Sequence, residues 1–166
     1  DYYHSDKVDR IFKKNGSRSL SLIHCNIRSL SKNLNLLRDM MYSLSEKPDI
    51  IAITETKLNN NTVTNIDLPG YKFYHVDSMS AAGGVGIYVC NSLKVIERPD
   101  IKFSMDLVES CWVEIETGYQ KKNIIIGCIY RHPKASIEIF TDQLNELLKH
   151  LNRNKYQFYI LGDINI

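Results

Sequence analysis

The segment Asp49–Thr54, DIIAIT, constrains the fold more than any other part of the chain. After the opening acid it runs apolar without alternation, which marks a strand covered on both faces. Such a strand lies in a sheet with a further layer on each side. Glu55 closes the run directly. Other apolar runs close on polar groups in the same way: LSLIHCN ends at Asn26, NIIIGCIY ends at Tyr130, and FYILG is followed by Asp163 and Asn165.

Between the first two of these runs, Leu30, Leu34, Leu37, Met41 and Leu44 recur at helical spacing. Ser31 or Asn33 is expected to cap this helix, and Pro48 to stop it. A second helix is expected over 137–151, with Ile137, Phe140, Leu144, Leu147, Leu148 and Leu151 on one stripe. The middle of the chain reads as strands. Pro69-Gly70 and Gly83-Gly84 are turns, and the Asn/Thr-rich stretch 59–65 is a surface loop. Tyr71–Val76 is a short strand. Val85–Cys90 and Leu93–Glu97 are expected to form a hairpin with Asn91-Ser92 at its tip. Cys111, Val113 and Ile115 alternate with Trp112, Glu114 and Glu116, the pattern of a half-buried strand. Residues 1–19 are polar and aperiodic, a loose leader before a folded unit over 20–166. Lys13, Lys14 and Arg18 within it read as a solvated basic tail. Strand–helix–strand, then a run of strands, then helix–strand, implies an α/β protein: a two-sheet sandwich with helices outside.

The balance of 43% apolar and 24% charged residues is that of an ordinary globular domain. A net charge of +2 is too mild to argue for nucleic acid on its own. Cys25, Cys90, Cys111 and Cys128 form no CxxC pair, which argues against zinc. Their apolar settings suggest reduced core thiols of an intracellular protein. No apolar run approaches the ~18 residues that a helical membrane span requires, and no membrane partner is expected. The chain opens on Asp1 and closes on Ile166, directly behind a strand, so a fragment of a longer polypeptide is expected.

Oxygen-bearing side chains at several strand ends would suit a hard cation such as Mg²⁺ if one sheet edge gathers them. Taken singly, such a residue is usually just the first residue of a loop, and Gly162-Asp163 could be an ordinary turn; Glu55 stands out a little, as an acid directly after an apolar run.

The ordered segments HCNIRSL (24–30), DIIAITETKL (49–58), PGY (69–71), GGVGIYV (83–89), ESCWVEI (109–115), IYRHP (129–133) and ILGDINI (160–166) together resemble the endonuclease domain of non-LTR retrotransposons. That domain belongs to the endonuclease/exonuclease/phosphatase family, with the apurinic endonucleases and DNase I. The resemblance implies a DNase I-like four-layer α/β/β/α fold, a two-layer β-sandwich flanked by helices. It implies Mg²⁺, with Mn²⁺ as the alternative ion, and DNA as the partner. The expected reaction is single-strand nicking for target-primed reverse transcription, in the nucleus, with a reverse transcriptase in the same parent polypeptide.

Residue by residue, the resemblance makes Glu55 the metal ligand, and Asn26 a group that places metal and phosphate. Tyr130 and Arg131 correspond to the Tyr-Arg pair near the scissile phosphate. Asp163 corresponds to the acid that orients or deprotonates the attacking water, and Asn165 to the amide on the phosphate. Glu109 matches a recurring acid whose role stays open. Arg28 stands where some relatives carry an acid, and is expected to touch a DNA phosphate; Lys32, Lys57 and Lys134 are weaker candidates for the same track. The family's late Asp-His pair has no counterpart before Ile166. His24, His75, His132 and His150 do not stand in that motif, and His132 reads as a loop residue. The fold is therefore expected to be incomplete at its C-terminus and the chain inactive alone. Two alternatives stand beside the nuclease: a phosphatase or sphingomyelinase of the same fold, and a decayed or domesticated copy that only binds DNA or protein.

Overall fold

The computed structural model describes residues 20–61, 65–118 and 122–166. The leader therefore lies outside the described residues, as do positions 62–64 of the expected surface loop. Among the described residues, eight strands and two helices follow in the order β1 (Leu22–Asn26), α1 (Leu30–Ser43), β2 (Ile50–Thr54), β3 (Tyr71–Val76), β4 (Val85–Cys90), β5 (Lys94–Glu97), β6 (Val108–Glu116), β7 (Ile124–Arg131), α2 (Ile137–Arg153) and β8 (Gln157–Asp163). They form two four-stranded sheets, ordered β1-β2-β4-β3 and β5-β6-β7-β8. Each sheet is mixed. β1 and β2 are parallel across the α1 crossover, and β7 and β8 are parallel across the α2 crossover.

Strand periodicity explains why β2 is apolar throughout. Ile50 and Ala52 face the second sheet, packing with Val85, Ile87, Val113, Ile126 and Cys128. Ile51 and Ile53 face the other way, against Leu30, Leu34, Leu37 and Met41 of α1. Beyond the second sheet, Trp112, Ile125 and Ile129 pack on Phe140 and Leu151 of α2. Three apolar interfaces therefore separate four layers: α1, first sheet, second sheet, α2. This is the α/β sandwich expected from the element order.

Four local expectations need correction. Neither Ser31 nor Asn33 caps α1. The N-cap is Ser29, which makes no side-chain cap bond. The helix start is tied to the β2 loop instead, through Leu30 N–H to Thr56 O at 2.9 Å, and Asn33 Nδ2 donates to Ile27 O at 2.7 Å. At the other end, the Lys47 ammonium donates to the carbonyls of Met41 and Leu44, a cation on the negative pole of the helix.

The expected hairpin of Val85–Cys90 with Leu93–Glu97 does not form. β4 pairs with β2 on one edge and β3 on the other, so it has no edge left for β5. The chain turns at Cys90–Leu93, crosses to the second sheet, and pairs as β5 with β6.

β6 is covered on both faces rather than one. Trp112, 3% exposed, lies in the interface with α2, and its ring fills the space above Gly127 on the neighbouring strand. Finally, Ile137 is 42% exposed and stands off the stripe that buries Phe140 and Leu151.

All four cysteines are free. Cys111 and Cys128 are register partners on adjacent strands, and both are buried. Burial pushes the Cys25 thiol up to about 11 and the Cys111 thiol up to about 12.

A Cβ at Gly127 would overlap the Trp112 ring, so Gly127→Ala forces the indole out of place. We expect a destabilisation of about 1–3 kcal/mol by urea denaturation, typical of an overpacked core. A variant as stable as the parent chain would show that the indole is not held against that strand.

Candidate active site

The two parallel pairs bring four strand C-termini to one end of the sandwich: β1 and β2 in the first sheet, β7 and β8 in the second. The hydrogen-bond ladder of β1 and β2 continues past both strands. Ile27 N–H donates to Thr54 O at 3.0 Å and Ser29 N–H to Glu55 O at 2.8 Å. To make these bonds the backbone adopts positive φ at Arg28 (51°), Ser29 (116°), Glu55 (54°) and Lys57 (55°). A third loop joins them: Thr56 N–H donates to Gly84 O at 3.1 Å and Lys57 N–H to Gly83 O at 2.8 Å.

At the mouth of this zipped edge, Asn26 Nδ2 donates to Glu55 Oε1 at 2.7 Å and to Asp163 Oδ2 at 3.0 Å. One amide nitrogen on β1 thus links an acid from its own sheet to an acid from the other sheet. The residues concerned are separated by as many as 137 positions in sequence. Asn26 Oδ1 accepts from Arg28 N–H at 3.2 Å. In this arrangement Asn26 offers the acids its nitrogen, while its oxygen is turned to the backbone of the next loop. The Arg28 side chain is exposed beside them.

Tyr130 is the register partner of Asp163 and packs in the core between the sheets. Burial raises the pKa of its phenol above the usual tyrosine value, and Glu55, Asp163 and Glu109 raise it further, in that order; a hydrogen bond from Asn165 pulls weakly the other way. The phenol is therefore held in its protonated, donating form. Asn165 folds back over the loop: its N–H donates to Asp163 Oδ1 at 3.2 Å and its Nδ2 to Arg131 O at 2.7 Å. Gly162, at φ 149°, precedes the acid because a Cβ there would collide with the Ile129 carbonyl.

Arg131 is placed differently from the phosphate contact expected of it. It is 4% exposed, and its guanidinium donates to backbone carbonyls: Ile164 O at 2.7 Å, His132 O at 3.4 Å, and those of Ala135 and Asn165. It faces inward and ties the end of β7 to the segment directly after Asp163, which carries Asn165. Lys32 and Lys134 are exposed, and Lys57 is half-buried.

His24 stands outside the family's late Asp-His motif. It lies two residues behind Asn26 on the same strand face and shares a hydrogen bond with Thr54 Oγ1 at 3.2 Å. Burial lowers its ionisation, and the Asp163 carboxylate partly offsets that. The signal available in the sequence was the strand period of two that aligns 24 with 26.

The donor set fits a hard divalent ion of limited appetite. Among the described residues no group of three or more His, Cys, Asp or Glu side chains converges, and neither Glu55 nor Asp163 has a Lys or Arg ion-pair partner. Two neighbouring carboxylates without a cation match Mg²⁺, which keeps several waters and takes one or two carboxylates. The cavity of about 910 Å³ lined by Leu20, Asp49, Lys94 and Gln157 lies at the opposite strand ends and includes none of these groups.

This α/β sandwich, with polar groups gathered at the C-terminal strand ends of both sheets, matches the DNase I-like fold of solved endonuclease and phosphatase structures. The chain superposes on the endonuclease domain of TRAS1, a telomere-specific non-LTR retrotransposon, with a TM-score of 0.58 and 18% identity over 89% of this chain and 59% of that one. For the AP endonuclease LMAP from Leishmania major the values are 0.64 and 19%, over 88% and 55%. A mannosyl-6-phosphatase from Bacteroides thetaiotaomicron gives 0.59 and 16%, over 89% and 66%. The chain thus spans between 55% and 66% of the length of these three structures. No protein-family model and no curated protein sequence matches it.

Replacing Arg131 by Met takes this donor from the carbonyls of Ile164, Ala135 and Asn165, while His132 O keeps the Ala135 N–H. We expect Arg131→Met to lower stability by ~3 kcal/mol in urea denaturation, because hydrogen bonds made by a charged group are the costly ones to lose. A loss under about 0.5 kcal/mol, the range of ordinary surface changes, would mean the guanidinium is not a structural tie.

Proposed function

We propose that this chain is the major part of a Mg²⁺-dependent DNA endonuclease domain that hydrolyses one phosphodiester strand. The observation that carries this reading is the Asn26 amide bridging Glu55 and Asp163 across the two sheets. A phosphodiester resists attack because its oxygens repel an anionic nucleophile. A divalent ion at Glu55 supplies charge neutralisation at the phosphate and at the leaving oxygen when it is bound.

The chain's own residues do the rest. Glu55 holds its carboxylate at a fixed backbone position and offers the oxygen that Asn26 leaves free. Asp163, oriented by Asn26 on one oxygen and by the Asn165 N–H on the other, accepts the proton of the attacking water. Tyr130, kept protonated by its surroundings, donates to a phosphate oxygen as charge builds there. Asn165 commits one amide hydrogen to Arg131 O, and the other, which rests on the Tyr130 phenol, turns to the phosphate when substrate binds. Arg28, exposed at the rim, contacts the flanking DNA backbone.

The motif wording ETKL and IYRHP, with the likeness to the TRAS1 domain, supports a retrotransposon polypeptide. In that setting the nick leaves a 3′-hydroxyl that primes a reverse transcriptase in the same chain, within the nucleus. A non-cleaving, DNA-binding role is favoured by two observations: among the described residues no third acid joins Glu55 and Asp163, and Arg131 is turned away from the cleft. A phosphatase would use the same two acids.

The parent polypeptide is expected to relax supercoiled plasmid with Mg²⁺ and not with EDTA. Glu55→Ala and Asp163→Ala should each slow nicking by at least ~100-fold with an unchanged circular dichroism spectrum. Normal cutting by both variants would remove this site from consideration. Plasmid binding without cutting would support the non-cleaving role, and turnover of phosphomonoesters or phospholipid in place of plasmid the phosphatase. Because residues 1–166 span little more than half of the endonuclease domains they resemble, we expect them to produce no nicked plasmid on their own; measurable Mg²⁺-dependent nicking by these residues alone would refute that.

A further inference from the structure

Glu109 and Arg131 are the charged residues buried among the described residues, at 5% and 4% exposure. They sit one register step apart on β6 and β7, since Glu109 pairs with Tyr130 and Val108 with Arg131. Their charges are nonetheless spent on the backbone: Arg131 binds carbonyls, and Glu109 binds amides. The Glu109 carboxylate accepts Met79 N–H at 2.8 Å and Gly84 N–H on its other oxygen. A buried anion satisfied by two amides fixes the loop that donates them.

That loop does not end at itself. Gly84, whose N–H is held by Glu109, and Gly83, whose N–H donates to Ser78 Oγ at 3.0 Å, present the carbonyls that receive Thr56 N–H and Lys57 N–H respectively. Glu55 lies immediately before this pair, in a left-handed conformation that its side chain does not favour. Its own carbonyl is held by Ser29 N–H. The packing on the Glu109 side is tight. A Cβ at Gly83 would overlap the Glu109 carboxylate, and a Cβ at Gly84 would overlap Thr56 Oγ1. Glycine at both positions lets the carboxylate and the Glu55 loop approach the same turn from opposite sides.

We infer that Glu109 is a positioning residue for Glu55, acting through the Gly83-Gly84 turn rather than by touching metal or substrate. Glu109 fixes the turn, the turn fixes the amides of Thr56 and Lys57, and those amides fix where the Glu55 carboxylate points. This rests on the reading of Glu55 as the ion's ligand only for its functional consequence. The geometric part stands without it.

The test uses Glu109→Gln, whose amide can accept only one of the two N–H groups and sets its own NH₂ against the other. Gly83→Ala displaces the carboxylate from the opposite side of the contact and serves as the second variant should Glu109→Gln not fold. Two measurements are made on each: hydrogen exchange at the Thr56 and Lys57 amides relative to those of Ile51 and Ile53, and Mn²⁺ affinity by electron paramagnetic resonance titration. Exchange at 56 and 57 should accelerate about tenfold or more while that of β2 is unchanged, and Mn²⁺ affinity should fall about tenfold, the lower end of what outer-shell partners contribute. Unchanged exchange at both amides overturns the inference, whatever the thermal stability does. Accelerated exchange with unaltered Mn²⁺ affinity also overturns it, by showing that the loop does not aim Glu55 at an ion. Accelerated exchange in a chain that binds no Mn²⁺, wild type included, leaves the positioning role standing and removes the metal reading.

Discussion

Each sheet contains one parallel pair, and each parallel pair is closed by a helix. A parallel connection returns the chain to the same end, so β1 and β2 finish together, as do β7 and β8. The two sheets face each other through a core of Ile, Val, Ala and Cys side chains that leaves no room for them to slide. The four finishing ends therefore share a rim. Asn26 reaches across it because an amide nitrogen with two hydrogens can satisfy two acids at once. Without that donor, the Glu55 and Asp163 carboxylates would meet with only repulsion between them.

The backbone supplies most of the organisation around the rim. The β1 and β2 ladder runs on into the loops, the Gly83-Gly84 turn adds a third strand of hydrogen bonds, and the loop after Asp163 is held by a guanidinium on the carbonyls of Ile164 and Asn165. Loops normally move more than the elements they join. Here their amides and carbonyls are committed to one another, which suits a site whose groups need fixed geometry.

Much of this was legible in the residues. β2 could be read as doubly covered because Ile50 through Thr54 never alternate, and both interfaces it serves are present. Leu30, Leu34, Leu37 and Met41 declared the buried face of α1 by spacing alone. The polar ends at Asn26, Glu55 and Asp163 were visible as interruptions of apolar runs, and they do meet. Other features are set by what lies across a sheet, which no local pattern carries. Leu93–Glu97 has the look of a hairpin partner for β4, yet β3 and β2 already occupy both edges of that strand. Trp112 reads as the outer face of an amphipathic strand, and is buried only because α2 folds over it. Arg131 reads as a cation for phosphate. Its inward turn depends on carbonyls more than thirty residues downstream.

The left-handed backbone at Glu55 has an implication for anyone trying to improve this protein. Glycine or asparagine would occupy that conformation more comfortably, by something on the order of 1 kcal/mol. A redesign guided by thermal tolerance alone would therefore be drawn to position 55 and would erase the acid that the surrounding loops converge upon. On the proposed reading of Glu55 as an ion's ligand, robustness and usefulness pull in opposite directions at this one residue, and a selection for either would be legible there first.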